Sequence, residues 1–209
     1  MKYYRRKIGV FGGSFDPVHK GHLSVAAAAH KELNLDEVWF LPAWIQPFKQ
    51  EKHAESALHR KKMLELVIED MPYCSVCDYE LKKKGVSYTC ETLAVFKEQY
   101  SDAHFYFIMG ADSLDTFSTW RHPREICDCA SIIVAGRHRT GKSDKLEGEA
   151  RQLDQMFGAD IHFLHTPFYD ISSTQIRNMS LDDLHQNQLI PGRVLDYICK
   201  YGLYGKGKA

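Results

Sequence analysis

Two histidines three residues apart, His19 and His22, follow a glycine pair in the segment Gly12-Gly13-Ser14-Phe15-Asp16-Pro17-Val18-His19-Lys20-Gly21-His22. On a helical turn, positions i and i+3 share a face, so both imidazoles would point the same way. Glycines at such a place let the backbone approach a ligand closely, and the amides of a turn leading into a helix form an anion site. The chemistry this suggests is phosphate binding, with ring N–H groups donating to phosphate oxygens. The spacing is neither the G-x-G-x-x-G of dinucleotide sites nor a loop ending in Gly-Lys-Ser/Thr. Taken alone, the pair equally fits one capping histidine and one packed histidine.

The elements that must position these residues alternate along the chain. Apolar runs at Lys7–Phe11, Glu37–Leu41, Tyr73–Cys77, His104–Met109, Ser131–Ala135 and Ile161–His165 read as strands. Helical patterns at His19–Leu33, Leu58–Ile68, Thr89–Tyr100 and Ser143–Phe157 lie between them. The expected fold is α/β: a Rossmann-like, doubly wound parallel sheet with helices on both faces, forming a single domain over residues 1–204. Such sheets bind ligands beyond the carboxyl ends of their strands, where the glycine pair falls. Residues 42–54 are polar and hold two prolines, and are expected to form a mobile loop. The Gly/Lys-rich end, residues 205–209, is expected to be a disordered tail.

Bulk properties remove several functions. Among 209 residues, 27 Lys+Arg balance 27 Asp+Glu for a net charge of +0, which gives no electrostatic footprint for nucleic acid or membrane. No run approaches the roughly 18 apolar residues of a membrane span, and no secretory leader pattern opens the chain, so the cytoplasm is expected. Cys74-x-x-Cys77 and Cys127-x-Cys129 invite a zinc reading, but neither has a regularly spaced second pair. All six cysteines are expected to be buried free thiols, with no protein metal site.

The first segment closely resembles the signature of the HxGH nucleotidyltransferase superfamily. That resemblance implies a second signature near the C-terminal end, and Ile171-Ser172-Ser173-Thr174-Gln175-Ile176-Arg177 looks like it. Its physics fits: Ser172, Ser173 and Thr174 can cap a helix with open amides and hydroxyls, and Arg177 one turn on can grip phosphate. The two signatures together imply adenylyl transfer from ATP. His19, His22 and Arg177 would be catalytic. Gly12, Gly13, Ser14, Phe15, Gly110, Asp112, Ile171, Ser172, Ser173 and Thr174 would bind ATP or its phosphates.

Further motifs are similar to those of the nicotinate mononucleotide adenylyltransferase family. They are Pro42-Ala43-Trp44-Ile45-Gln46-Pro47-Phe48-Lys49, Ser87-Tyr88-Thr89, Gly110-Ala111-Asp112-Ser113…Trp120 and the closing Ile190-Pro191-Gly192…Tyr201-Gly202-Leu203-Tyr204. The likeness spans Ile8 to Tyr204, with one departure: Phe48 stands where that family usually has histidine. It implies ATP and nicotinate mononucleotide as substrates, Lys49 on the triphosphate, and Mg2+ carried by ATP. Trp120 would stack on the electron-poor pyridinium ring, and amides near Tyr88 and Thr89 would take its carboxylate. Nicotinamide mononucleotide is a second conceivable acceptor, and the sequence is compatible with a homo-oligomer. Because the acceptor phosphate is already anionic, no general base is needed, and catalysis would be positioning plus charge neutralisation.

Overall fold

The structure, a computed structural model, describes residues 5–47, 55–136, 143–165 and 171–206. Six strands form one sheet: β1 (Arg6–Gly13), β2 (Glu37–Pro42), β3 (Cys74–Val76), β4 (Ala103–Gly110), β5 (Ala130–Ala135) and β6 (Ile161–Phe163). The spatial order is β3-β2-β1-β4-β5-β6 and every pairing is parallel. This is the doubly wound order, with its reversal of direction between β1 and β4, where such sheets open a crevice. The expected Rossmann-like α/β fold is what forms.

The helices are α1 (Lys20–Leu33), α2 (Ala57–Ile68), α3 (Tyr79–Lys83), α4 (Thr89–Gln99), α5 (Ala111–Leu114), α6 (Pro123–Cys129), α7 (Ser143–Phe157), α8 (Ser173–Asn178), α9 (Leu181–Asn187) and α10 (Gly192–Tyr201). Strand side chains alternate between two cores. Phe11, Phe40, Ile108 and Ile133 face one core with Val25 of α1, Met63 of α2 and Ile198 of α10. Val10, Leu41, Phe107 and Ile132 face the other with Leu93 of α4, Ile126 of α6 and Leu153 of α7. A sheet covered on both faces needs strands that are apolar throughout, and all six residues of β5 are buried.

Five expectations shift. Gly12 and Gly13 do not follow the first strand but end it, paired with Leu41 and Pro42. The third and sixth strands are three residues each, because only Cys74–Val76 and Ile161–Phe163 find a neighbour to pair with. Residues 42–47 are tied down, with Ile45 bridging to Val86 and the Trp44 amide donating to Ser87 Oγ at 3.2 Å; residues 48–54 lie outside the described residues. At the other end, Gly205 closes a 3-10 turn (Leu203–Gly205) and Lys206 is buried, so the expected tail cannot include these two; residues 207–209 lie outside the described ones. All six cysteines are free, but only Cys90 is fully buried and the rest are half-buried. Burial pushes the Cys74 thiol up to about 12, so it stays a neutral packing group. Among the described residues, no helix is long and apolar enough to cross a membrane.

Candidate active site

β1 delivers its last residues to the carboxyl edge of the sheet, and the chain then turns through Ser14–Val18 into α1. Gly13 leaves room there for the Phe15 ring, which would stand 3.0 Å from an added Cβ. Phe15 takes the left-handed backbone (φ 50) and drives its ring into the core. It was expected among the ATP contacts; in the fold it is 1% exposed. Its ring packs edge-on against the His22 ring, 5.0 Å between centroids, and so braces the histidine.

His19 is the N-cap of α1, and its backbone N–H donates to His22 Nδ1 at 3.3 Å. The two rings stack 3.6 Å apart at 28°, the shared face expected from their spacing. With Nδ1 accepting, neutral His22 must carry its proton on Nε2, which makes that nitrogen the donor for an incoming anion. His19 is 4% exposed and burial pushes it down to about 4, so it is neutral near pH 7. A neutral imidazole keeps one ring N–H, which can donate to a phosphate oxygen.

The second signature lies against the first. Ser173 Oγ donates to the Pro17 carbonyl at 2.9 Å and Arg177 Nη1 donates to the Asp16 carbonyl at 2.7 Å. Ser172 and Gln175 form a capping box, with Ser172 N–H donating to Gln175 Oε1 at 2.8 Å and Gln175 N–H to Ser172 Oγ at 3.2 Å. This narrows the expected anion site. The Ser172 amide and hydroxyl serve the cap, Ser173 Oγ serves Pro17, and Thr174 Oγ1 accepts from Arg177 Nη2 at 3.2 Å. The amides of Ser173 and Thr174, left over by helix geometry, remain as donors. Ile171 is half-buried against the core.

Beneath this turn lies a group that sequence reasoning did not single out. Asp16 is fully buried. Its carboxylate accepts from Tyr204 Oη at 2.6 Å and from the Glu55 amide at 3.3 Å, and stands 4.0 Å from Arg177 Nη1. Burial still raises its pKa, with the hydrogen bonds and the Arg177 and Arg60 charges opposing that. Arg60, 3% exposed, donates to the carbonyls of Ser14 (2.7 Å), Ala43 (2.7 Å) and Glu55 (3.2 Å). A signal existed: Arg60 is three before Met63 and four before Leu64, on the apolar face of α2.

Beside the turn, a cavity of about 500 Å³ opens between the ends of β1 and β4. Its lining includes Gly12, Gly13, Gly110 and Asp112 as well as Tyr88, Thr89 and Trp120. Trp120 is held by Phe117 and Phe107, at 5.5 and 6.0 Å between ring centroids. Tyr88 caps α4 with no side-chain bond to the first amides, so those of Thr89 and Cys90 head the helix. Arg121 lies over the Tyr88 ring at 4.5 Å and pairs with Glu91 at 3.1 Å. Glu80, also unanticipated, is a buried lining carboxyl that accepts from Thr92 Oγ1 at 2.8 Å, and burial raises its pKa. Asp112 is exposed in the first turn of α5, whose N-cap is Gly110. His19, His22 and Arg177 do not line this cavity; they form the adjoining cluster. Lys49 and Phe48 lie outside the described residues.

Residues 10–179 match the cytidylyltransferase-like family. A Clostridium perfringens protein named "probable nicotinate-nucleotide adenylyltransferase" is 39% identical over 95% of this chain and 98% of its own length. A Clostridium novyi protein of the same name is 38% identical over 95% and 99%. Among solved structures, nicotinic acid mononucleotide adenylyltransferase of Plasmodium falciparum, complexed with NaAD, superposes with a TM-score of 0.78 at 21% identity, covering 97% of this chain and 99% of that one.

Proposed function

We propose that this chain, which belongs to the nicotinate-nucleotide adenylyltransferase family of cytidylyltransferase-like proteins, transfers the adenylyl group of ATP to nicotinate mononucleotide. The products are deamido-NAD and pyrophosphate. The observation that carries this reading is the adjacency of two unlike sites: a cluster of N–H donors at His22, the α8 amides and Arg177, and a cavity with Trp120 and the head of α4.

The 5′-phosphate of the acceptor is already anionic, so its oxygen can attack the α-phosphorus directly. One O–P bond forms as the bond to the pyrophosphate oxygen breaks, and the leaving group departs with its charge. No proton has to move, which agrees with a neutral, buried His19. His22 Nε2–H would steady charge on the α-phosphate, with Arg177 and the Ser173 and Thr174 amides along the leaving pyrophosphate. Backbone beside Gly12, Gly13, Ser14 and Gly110 would receive the adenosine side, with Lys49 on the triphosphate. Trp120 would cover the pyridinium ring, and the Thr89 N–H would donate to its carboxylate at the positive end of α4.

A divalent ion fits this site only as a companion of ATP. Asp16, the carboxylate nearest the phosphate turn, is buried and engaged by Tyr204 and Glu55, and the described residues contain no cluster of three or more acidic, His or Cys ligands. When bound, Mg2+ would neutralise triphosphate oxygens, with water completing its shell. We place the reaction in the cytoplasm, where six free cysteines stay reduced. The test is pyrophosphate release with ATP plus nicotinate mononucleotide, nicotinamide mononucleotide or phosphopantetheine in parallel. Release with the first is expected, and release confined to the third would overturn the proposal.

A further inference from the structure

Resting on that reading, we propose that Tyr204 is a positioning residue for the triphosphate: through buried Asp16 it sets where the Ser14–His19 turn and Arg177 present their donors. Tyr204 comes from the 3-10 turn after α10 and shares no element with either signature. Its hydroxyl donates to Asp16 Oδ1 at 2.6 Å. Its backbone is held as well, in the left-handed region (φ 57), by N–H donation to Glu55 Oε1 at 3.2 Å. A side chain that long would swing if only its ring were packed; here both ends are pinned.

From Asp16 the linkage runs directly to Arg177, whose Nη1 donates to the Asp16 carbonyl and stands 4.0 Å from its carboxylate. A second tie from the same terminal segment reaches Arg177 from behind. Lys206 Nζ donates to the carbonyl of Arg177 at 3.0 Å and to that of Met179 at 2.5 Å. So residues 204–206 grip Arg177 at its guanidinium, by way of Asp16, and at its own backbone. A carboxylate that merely filled space would be better replaced by an apolar group, since burial disfavours its charge. The groups facing Asp16 are Tyr204 from the terminal turn, the Glu55 amide ahead of α2, Arg60 from α2 and Arg177 from α8; the Glu55 carboxylate lies beyond, on the Tyr204 amide. The Tyr204 hydroxyl favours the carboxylate form, so its loss moves protonation of Asp16 to higher pH.

Tyr204→Phe keeps the ring and removes the donor. With folding verified by circular dichroism, its KM for ATP and the Kd for ATP measured calorimetrically without acceptor should rise about tenfold. KM for nicotinate mononucleotide should stay within about twofold, and the acid limb of kcat/KM for ATP should move to higher pH. Lys206→Met should give the same ATP-only pattern, more weakly. In an Asp16→Ala background, which removes the acceptor, Tyr204→Phe should add nothing. Unchanged ATP constants, or equal losses for both substrates, would overturn the positioning role. If the wild type binds ATP but does not turn over nicotinate mononucleotide, the functional reading fails, while the calorimetric comparison still decides the role of Tyr204.

Discussion

The turn proposed to hold phosphate and the cavity proposed to hold the acceptor lie side by side on one sheet edge and are built differently. Around Asp16 almost every polar group is buried and spoken for: Arg60 on three carbonyls, Tyr204 on the carboxylate, Arg177 on the Asp16 carbonyl. Around Trp120 the walls mix aromatic and aliphatic side chains with hydroxyls; Glu80 is buried there, while Asp112 is exposed and Arg121 pairs with Glu91 partly in solvent. The first cluster is set before a ligand arrives, as charge stabilisation requires, because donors that must reorganise give back what they contribute. The second, on the proposed reading, would recognise a flat ring by area and by one helix terminus. Substitutions on the phosphate side should therefore strike stability and turnover, and those on the cavity side acceptor affinity.

That contrast can be broken at four points, in falling order of effect. Arg60→Ala leaves three interior carbonyls without their donor and removes a charge that favours the Asp16 carboxylate, and should cost about 3–5 kcal/mol of stability, read as a loss of denaturation midpoint; a change below about 1 kcal/mol would mean the cluster is not prebuilt. His22→Ala removes the Nε2 donor and should lower kcat by about 10²–10³ with the fold intact, checked by single-turnover kinetics. Trp120→Ala should raise KM for the acceptor by about 2- to 30-fold, the range of a 0.5–2 kcal/mol stacking contact, and leave KM for ATP unmoved. Glu91→Gln, on an exposed pair, should shift any parameter by less than about 1 kcal/mol. A large effect there would make the cavity rim as electrostatic as the turn.

The difference also has a pH signature. His19 falls from an ordinary 6.5 to about 4 in the fold, so between those values the unfolded chain binds the proton and the folded one resists it. Stability contributed by neutral His19 is full above about 6.5 and is lost as pH falls towards about 4. His19→Asn should flatten urea-unfolding curves across that window. An unchanged slope would show that the buried ring titrates normally.

Much of this was legible in the residues. The βα alternation predicts the sheet because its strands are apolar on both sides, and the His19–His22 spacing predicts the shared face that the stacked rings occupy. Tyr88, Thr89 and Trp120 meet in one cavity, as their motifs imply. What the sequence hid were contacts between distant segments. Phe15 lies inside the glycine motif, yet only the packing shows its ring turned to the core. Ser172 reads as an open anion donor until Gln175 folds back on it. The place of Arg60 on the apolar face of α2 follows from its spacing to Met63 and Leu64, but not the carbonyls of Ser14 and Ala43 that it meets. The cap around Gln175 is local and could be read from its three-residue spacing; the partners of Asp16 could not.

The hydrogen bond from Tyr204 to Asp16 joins residues 188 apart in sequence. On the ribosome, chains emerge and fold from the N-terminal end. The glycine turn, both histidines and most of the sheet are therefore made long before the hydroxyl that satisfies Asp16. Until Tyr204 arrives, that carboxylate lacks its shortest hydrogen bond and Arg177 lacks a fixed seat. The order of synthesis thus makes the Leu203–Gly205 turn the late step that satisfies Asp16.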